Sequence, residues 1–133
     1  MEEIILVFDG GSRGNPGQSY GSYRIQHKGK KAIGPVRLRL GHGTNNEAEY
    51  QTLIAGLKAV LEYLNREVLD SSKVQIEVRG DSRLVLNQLN RTWKAKDARM
   101  RRYRDEAEGL LSYFSDRRLI HQSRARTVEI LGH

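Results

Sequence analysis

Apolar and polar positions alternate along this chain with periods that change from strand-like to helix-like. The continuous apolar run at 4–8 predicts a strand buried on both faces. The next residues, D-G-G-S-R-G-N-P-G at 9–17, predict a turn because they are rich in glycine, asparagine and proline. Alternating stretches at about 19–27 and 31–40 flank Lys28-Gly29-Lys30 and predict a hairpin. The first three elements therefore form an antiparallel meander.

A long helix follows at T-N-N-E-A-E-Y, residues 44–50. Thr44 is predicted as its N-cap and Glu47 as the third helical residue, which together form a capping box. Glu49 lies one turn before Leu53, on the line of the apolar stripe, so the spacing predicts that Glu49 faces inward while Glu47 caps. The stripe consists of Leu53, Ile54, Leu57, Val60, Leu61 and Leu64.

The second half of the chain mixes strand and helix signals. The order β-β-β-α-β-α-α-β-α predicts an α/β protein with one mixed sheet and helices packed on its faces. Crossovers through helices make the first, fourth and fifth strands parallel. The remaining elements are predicted as a strand at about 73–80, a helix capped by Asp81 or Ser82, a helix at about 98–114, a strand near 118–122 and a helix from about 126.

Composition narrows the classes of protein to which the chain can belong. A length of 133 residues predicts one domain with one sizeable core. Cysteine is absent, which excludes disulfides, zinc–thiolate sites and cysteine nucleophiles. The lack of an apolar run of ~18 residues and of a signal-peptide pattern leads us to expect a soluble cytoplasmic protein that does not enter membranes.

The charge of the chain points to a polyanionic partner. Its net charge is +7 and its pI is about 9.9, which favours nucleic acid as the partner. The alternative is a protein that is simply basic.

Three acidic residues lie at the ends of buried elements, where an ionised carboxylate costs desolvation energy. Asp9 follows the first apolar strand, Glu49 faces the core, and Asp81 closes the alternating stretch at 74–78. Buried carboxylates need a cation, and in a chain without cysteine a hard divalent ion bound through oxygen, most simply Mg²⁺, is expected. Taken singly, Asp9 and Asp81 also fit ordinary turn or cap residues.

Three segments in register resemble type 1 ribonuclease H. They are F-D-G-G-S-R-G-N-P-G at 8–17, T-N-N-E-A-E-Y at 44–50 and R-G-D-S-R-L-V at 79–85. The resemblance covers nearly the whole chain and implies an RNase H-like fold, a five-stranded mixed sheet in the order 3-2-1-4-5. It implies a monomer that hydrolyses the RNA strand of RNA–DNA hybrids with two Mg²⁺ ions, or Mn²⁺ in their place.

The resemblance also implies roles for the acidic residues. Asp9 matches the aspartate that bridges both metals, and Glu49 and Asp81 match the ligands of the metal on the leaving-group side. The family's fourth ligand is an aspartate at the start of the C-terminal helix. Here Glu129, in V-E-I-L-G at 128–132, takes that position, and the alternative is an ordinary first-turn glutamate.

The C-terminal part departs from the family pattern. His121 is the candidate for the histidine that helps product release, although the loop before the last helix is shorter here, and the alternative is an exposed histidine. We expect the last helix to be short or truncated. Residues 1–133 form a single domain without the basic helical handle that some relatives insert, although R-T-W-K-A-K-D-A-R-M-R-R-Y-R at 91–104 holds seven cations and one acid.

Matches to the family also suggest contacts with the hybrid. The asparagines match residues that touch the RNA minor groove, Thr44 matches a grip on a DNA phosphate, and Trp93 would line a DNA channel. The alternatives are turn and helix-start structure for the asparagines and partial burial for Trp93. The full set is Gly10, Gly11, Asn15, Thr44, Asn45, Asn46, Arg83 and Trp93.

Two other functions remain open at this point. If Glu129 is not a ligand, the chain fits a hybrid-binding module with weakened or no activity. A different nuclease or a transposase-like member of the same fold is the other alternative, although T-N-N-E-A-E-Y favours ribonuclease H.

Overall fold

The computed structural model describes residues 2–132, which form one sheet with four α-helices. The strands are β1 (Glu2–Arg13), β2 (Gly17–His27), β3 (Ile33–Gly43), β4 (Val74–Gly80) and β5 (Asp116–His121), and the helices are α1 (Asn45–Arg66), α2 (Arg83–Leu89), α3 (Ala98–Leu111) and α4 (Arg124–Leu131). None of the helices within 2–132 has both the length and the apolarity needed to cross a membrane.

The five strands lie in the order β3-β2-β1-β4-β5. The pairs β1–β2 and β2–β3 are antiparallel, whereas β1–β4 and β4–β5 are parallel. The parallel pairs follow from the helical crossovers, as expected. The predicted α/β class and the order 3-2-1-4-5 are therefore confirmed.

Strand β1 is longer than the sequence pattern indicates. It continues through the predicted turn to Arg13, pairing Gly10 with Gly21 and Arg13 with Gln18. The turn signal failed because the glycines here serve close packing: a Cβ on Gly21 would overlap the side chain of Thr52, and one on Gly11 would lie 2.6 Å from the Tyr20 hydroxyl. Gly10 and Gly11 therefore belong to a paired, buried strand.

Helix α1 begins as its sequence predicts. The Thr44 hydroxyl accepts a hydrogen bond from the Glu47 N–H at 3.1 Å, and the Glu47 carboxylate accepts one from the Thr44 N–H at 3.1 Å. This is the predicted capping box.

The main core lies between α1 and the sheet. Leu6 of β1 packs directly on Gly56 of α1, where a Cβ would come within 2.9 Å of it. Of the predicted stripe, only Leu61 is partly exposed. Its fully buried members are Leu53, Leu57, Val60 and Leu64.

The later elements differ from their predicted bounds by a few residues. Ser82, rather than Asp81, caps α2, because its hydroxyl accepts from the Val85 N–H at 3.3 Å. Helix α3 ends at Leu111. Helix α4 begins at Arg124 with Ser123 as its N-cap, about two residues earlier than expected. That shift decides which side chain of α4 reaches the carboxylates.

Candidate metal centre

The sheet register places Asp9 and Asp81 side by side. The last residue pair between β1 and β4 joins Val7 to Arg79. Asp9 lies two residues after Val7, and Asp81 lies two residues after Arg79. Because parallel strands keep their register, both side chains emerge at the same height of the sheet. The Asp9 side chain is almost fully buried.

Helix α1 brings the third carboxylate to the same point. The Gly10 N–H donates a hydrogen bond to Glu49 Oε2 at 3.2 Å. A Cβ on Gly10 would lie 2.5 Å from the Ala48 carbonyl carbon and 2.7 Å from the Glu49 nitrogen. Only glycine therefore allows α1 to approach β1 closely enough for Glu49 to reach Asp9.

Asp9, Glu49 and Asp81 each offer a carboxylate oxygen, and these oxygens lie within 4.8 Å of one another. A set of oxygen donors with no nitrogen or sulfur fits a hard divalent cation such as Mg²⁺ or Mn²⁺. Three of the four residues predicted as ligands are thus brought together from three different parts of the chain.

Without a metal ion, the ionised form of this carboxylate cluster is unfavourable. Burial, together with the neighbouring charges of Asp9 and Asp81, raises the pKa of Glu49 to about 9. Burial and the charge of Asp9 also raise the pKa of Asp81 above its ordinary value. The donors therefore fit a metal ion electrostatically as well as chemically, since a divalent ion offsets this repulsion.

Arg124, which the sequence analysis missed, reaches into the cluster from the first residue of α4. Its Nη1 donates to Asp9 Oδ2 at 2.6 Å and to Asp81 Oδ2 at 3.3 Å. A signal for it existed: Ser123 is an N-cap residue, and a cation directly after it faces the positive end of the helix dipole. Such a cation needs nearby anions.

Glu129 does not join the carboxylates. Its side chain is 70% exposed and accepts a hydrogen bond from Arg126 at 3.0 Å. Because α4 begins at Arg124, Glu129 lies five residues on, ~7.5 Å along the axis and roughly 140° around the helix. The ligand role expected for Glu129 is not supported by this geometry.

Three other residues suggested by the family match, His121, Arg83 and Trp93, are exposed. His121 is exposed at the end of β5, paired in register with Gly80, the residue before Asp81. Arg83 is exposed at the start of α2. Trp93 is 48% exposed, so about half of its surface is open to solvent.

A groove with a volume of about 370 Å³ runs between the start of α1 and the start of α3. Three of the expected contact residues, Asn15, Thr44 and Asn46, line it together with Arg99. Asn45 lies beside it and ties the segments together: its N–H donates to Asn15 Oδ1 at 2.9 Å, and its Oδ1 accepts from the Ser12 N–H at 2.8 Å. These bonds give Asn15 and Asn45 the structural role that the sequence analysis named as the alternative.

Glu47 and Glu49 should respond in opposite ways to replacement by alanine. Burial alone would raise the pKa of Glu47, but the Thr44 N–H and the charge of Arg99 outweigh it and hold the pKa below its ordinary value. Glu47→Ala should therefore lower the free energy of unfolding by ~1 kcal/mol and preserve divalent-metal binding. Glu49→Ala should abolish that binding and leave stability level or higher. Urea unfolding and metal titration test both, and two stable variants without metal binding would contradict the assigned roles.

Comparison with known proteins places the chain in a family. The family model described as reverse transcriptase-like matches residues 8–128. Ribonuclease HI of Halobacterium salinarum is 37% identical over 122 residues, covering 92% of this chain and 57% of the relative. The bifunctional protein Rv2228c of Mycobacterium tuberculosis is 32% identical over 113 residues, covering 84% of this chain and 29% of the relative. The chain thus spans little more than half of the length of the first relative and less than a third of the length of the second.

Solved structures agree with this assignment. The crystal structure of RNase H1 from Halobacterium salinarum has a TM-score of 0.84 and 34% identity, covering 97% of this chain and 93% of that one. LC11-RNase H1 in complex with an RNA/DNA hybrid has a TM-score of 0.82 and 26% identity, covering 95% and 89%. The chain therefore belongs to the reverse transcriptase-like family of RNase H-like proteins, with type 1 ribonucleases H among its relatives.

Proposed function

We propose that this chain is a metal-dependent endoribonuclease that hydrolyses the RNA strand of RNA–DNA hybrids without sequence preference. The observation that carries the proposal is the meeting of Asp9, Glu49 and Asp81 within 4.8 Å, in a chain whose relatives are ribonucleases H. The complex of LC11-RNase H1 with a hybrid supports the choice of substrate.

Asp9, Glu49 and Asp81 would hold divalent ions, with Mg²⁺ as the physiological choice and Mn²⁺ as a substitute. When bound, two such ions supply an activated water and stabilise the leaving 3′ oxygen. The protein's own contribution is to position the three carboxylates. Asp9 is fixed by β1, Glu49 is held by the Gly10 N–H, and Asp81 is set by the end of β4. Since all three carboxylates come from one chain, a monomer suffices.

The groove beside the cluster would hold the hybrid. Gly10 and Gly11 have no side chains, so they would allow the hybrid to approach the β1 backbone closely. Asn15, Asn45 and Asn46 offer amide groups suited to the 2′-hydroxyls of the RNA minor groove. Thr44 combines its capping role with a contact to a DNA phosphate. Trp93 would pack on deoxyribose of the DNA strand, with Lys94 and Lys96 near the phosphates.

Arg83 and His121 complete the surface that we propose for the hybrid. Both side chains are exposed. Arg83 lies two residues after Asp81 in sequence, and His121 pairs in strand register with Gly80, the residue before Asp81. Arg83 would contact a phosphate as a cation. His121 would assist release of the cleaved strand.

A weakened hybrid-binding module is the second candidate. It is favoured by one observation, the exposed position of Glu129, which leaves three carboxylates where the family has four. The two candidates differ in turnover and not in binding.

A cleavage assay with three substrates tests the proposal. End-labelled RNA–DNA hybrid, RNA duplex and DNA duplex are incubated with Mg²⁺, Mn²⁺ or EDTA. We expect cleavage of the RNA strand of the hybrid with either metal, no cleavage of duplex DNA, and none in EDTA. Binding of the hybrid without cleavage in any metal would support the second candidate. Cleavage that persists in EDTA would contradict the metal-dependent mechanism.

A further inference from the structure

Arg124 lies where a metal ion and a guanidinium group would compete. Its Nη1 contacts Oδ2 of both Asp9 and Asp81, two of the three carboxylates proposed as ligands. A guanidinium is not deprotonated in proteins, so Arg124 is charged. The cluster therefore holds a cation of its own.

The position of Arg124 has little other support within its helix. As the first residue of α4 it faces the positive end of the helix dipole, where a cation is unfavourable. Its side chain is 58% exposed, so it has room to swing out into solvent. The two aspartates are the contacts that draw it inward.

A divalent ion and Arg124 make opposing demands on the same aspartates. A metal at ~2.1 Å would take lone pairs from the same two carboxylates that now accept hydrogen bonds from Arg124. The two cations also repel each other at such short range. Metal binding must then break at least part of the Arg124 contact.

We propose that Arg124 is an internal counter-ion that divalent metal displaces, and that it sets the metal concentration at which the site fills. It acts as a positioning residue: it keeps Asp9 and Asp81 together in the metal-free protein and weakens metal binding by the strength of the contact that is lost. This inference rests on the proposed metal-dependent function.

Metal titration and thermal unfolding of the full chain test the proposal without any measurement of activity. Arg124→Gln removes the charge, Arg124→Lys keeps it, and Arg102→Gln removes the same charge from an exposed position on α3. Calorimetry with Mg²⁺ and with Mn²⁺ gives the affinity. Unfolding in EDTA and in excess metal gives the stability of each state.

We expect Arg124→Gln to bind metal about tenfold more tightly than wild type, which equals ~1.4 kcal/mol. Its Tm should fall by about 3–6 °C in EDTA and match or exceed that of wild type in excess metal. Arg124→Lys should stay within about threefold of the wild-type affinity, and Arg102→Gln should not differ from wild type.

Unchanged or weaker metal binding by Arg124→Gln, when the wild type binds metal, would overturn this inference alone. An equal loss of Tm with and without metal would show a purely structural role and would also overturn it. Should Arg124→Gln fail to fold in EDTA, Arg124→Lys decides: a change in its metal affinity of tenfold or more in either direction would overturn the proposal. A wild-type chain that binds no divalent metal would overturn both this inference and the proposed function.

Discussion

Asp9→Asn should lower the rate of hybrid cleavage by about a thousandfold or more and leave the metal-free protein as stable as wild type. Asp9 is buried and would hold the metal ions together with Glu49 and Asp81. Loss of its charge removes several kcal/mol of transition-state stabilisation, and ~4 kcal/mol equals a thousandfold in rate. Single-turnover cleavage of a labelled hybrid measures the effect.

The stability of Asp9→Asn follows from two opposing changes. The variant loses an ion pair with Arg124, but Arg124 keeps its contact with Asp81. It also relieves the repulsion by which Asp9 helps to raise the pKa of Glu49 and of Asp81. The Tm in EDTA should therefore not fall, and the pKa of Glu49, measured by NMR, should decrease.

Glu129→Gln is the matched control, since it removes one carboxylate charge from an exposed site. It should retain its cleavage rate. If it loses as much rate as Asp9→Asn, then α4 must rearrange when metal binds. A large drop in the Tm of Asp9→Asn would instead show that Asp9 is structural.

Metal affinity should rise steeply with pH, by about tenfold per unit between roughly pH 5 and pH 9. The pKa of Glu49 is about 9 in the folded, metal-free protein, against an ordinary value of 4.5. Glu49 must lose its proton to bind metal, so each binding event at pH 7 should release about one proton. Calorimetry in two buffers of different ionisation enthalpy measures that release.

The same shift predicts how stability depends on pH without metal. Because the pKa of Glu49 is higher in the folded than in the unfolded chain, the folded state binds the extra proton between about pH 4.5 and pH 9. The contribution to stability is full below pH 4.5 and is lost as pH rises toward 9. A metal affinity that does not change between pH 6 and pH 8 would contradict the shifted pKa of Glu49.

The local features of the site were predictable from sequence because short-range rules fix them. The Thr44–Glu47 capping box and the inward direction of Glu49 both follow from spacing on one helix. The strand order followed from the alternation of strands and helices, supported by the family resemblance. In each case the pattern and the tertiary contacts favour the same structure.

The structure departs from the sequence pattern where long-range contacts outweigh local signals. The glycines after Asp9 read as a turn, yet pairing with β2 and packing against Tyr20 and Ala48 extend the strand. Glu129 matched the family position in sequence, but the start of α4 at Arg124 turned it to solvent. The contact of Arg124 with Asp9 joins residues 115 positions apart, so the local signal at Ser123 shows that Arg124 needs an anion but not which one.

The close approach of Gly10 to Ala48 has a consequence for engineering this scaffold. At Gly10, next to Asp9, β1 meets α1 main chain against main chain, with no side chain between them. Side chains deeper in the core, such as Leu57 and Val60, can then be redesigned for heat resistance without retuning the distances between the acidic groups. Gly10 itself is the position that a stabilisation campaign should leave untouched, since even a methyl group there would wedge α1 away from β1.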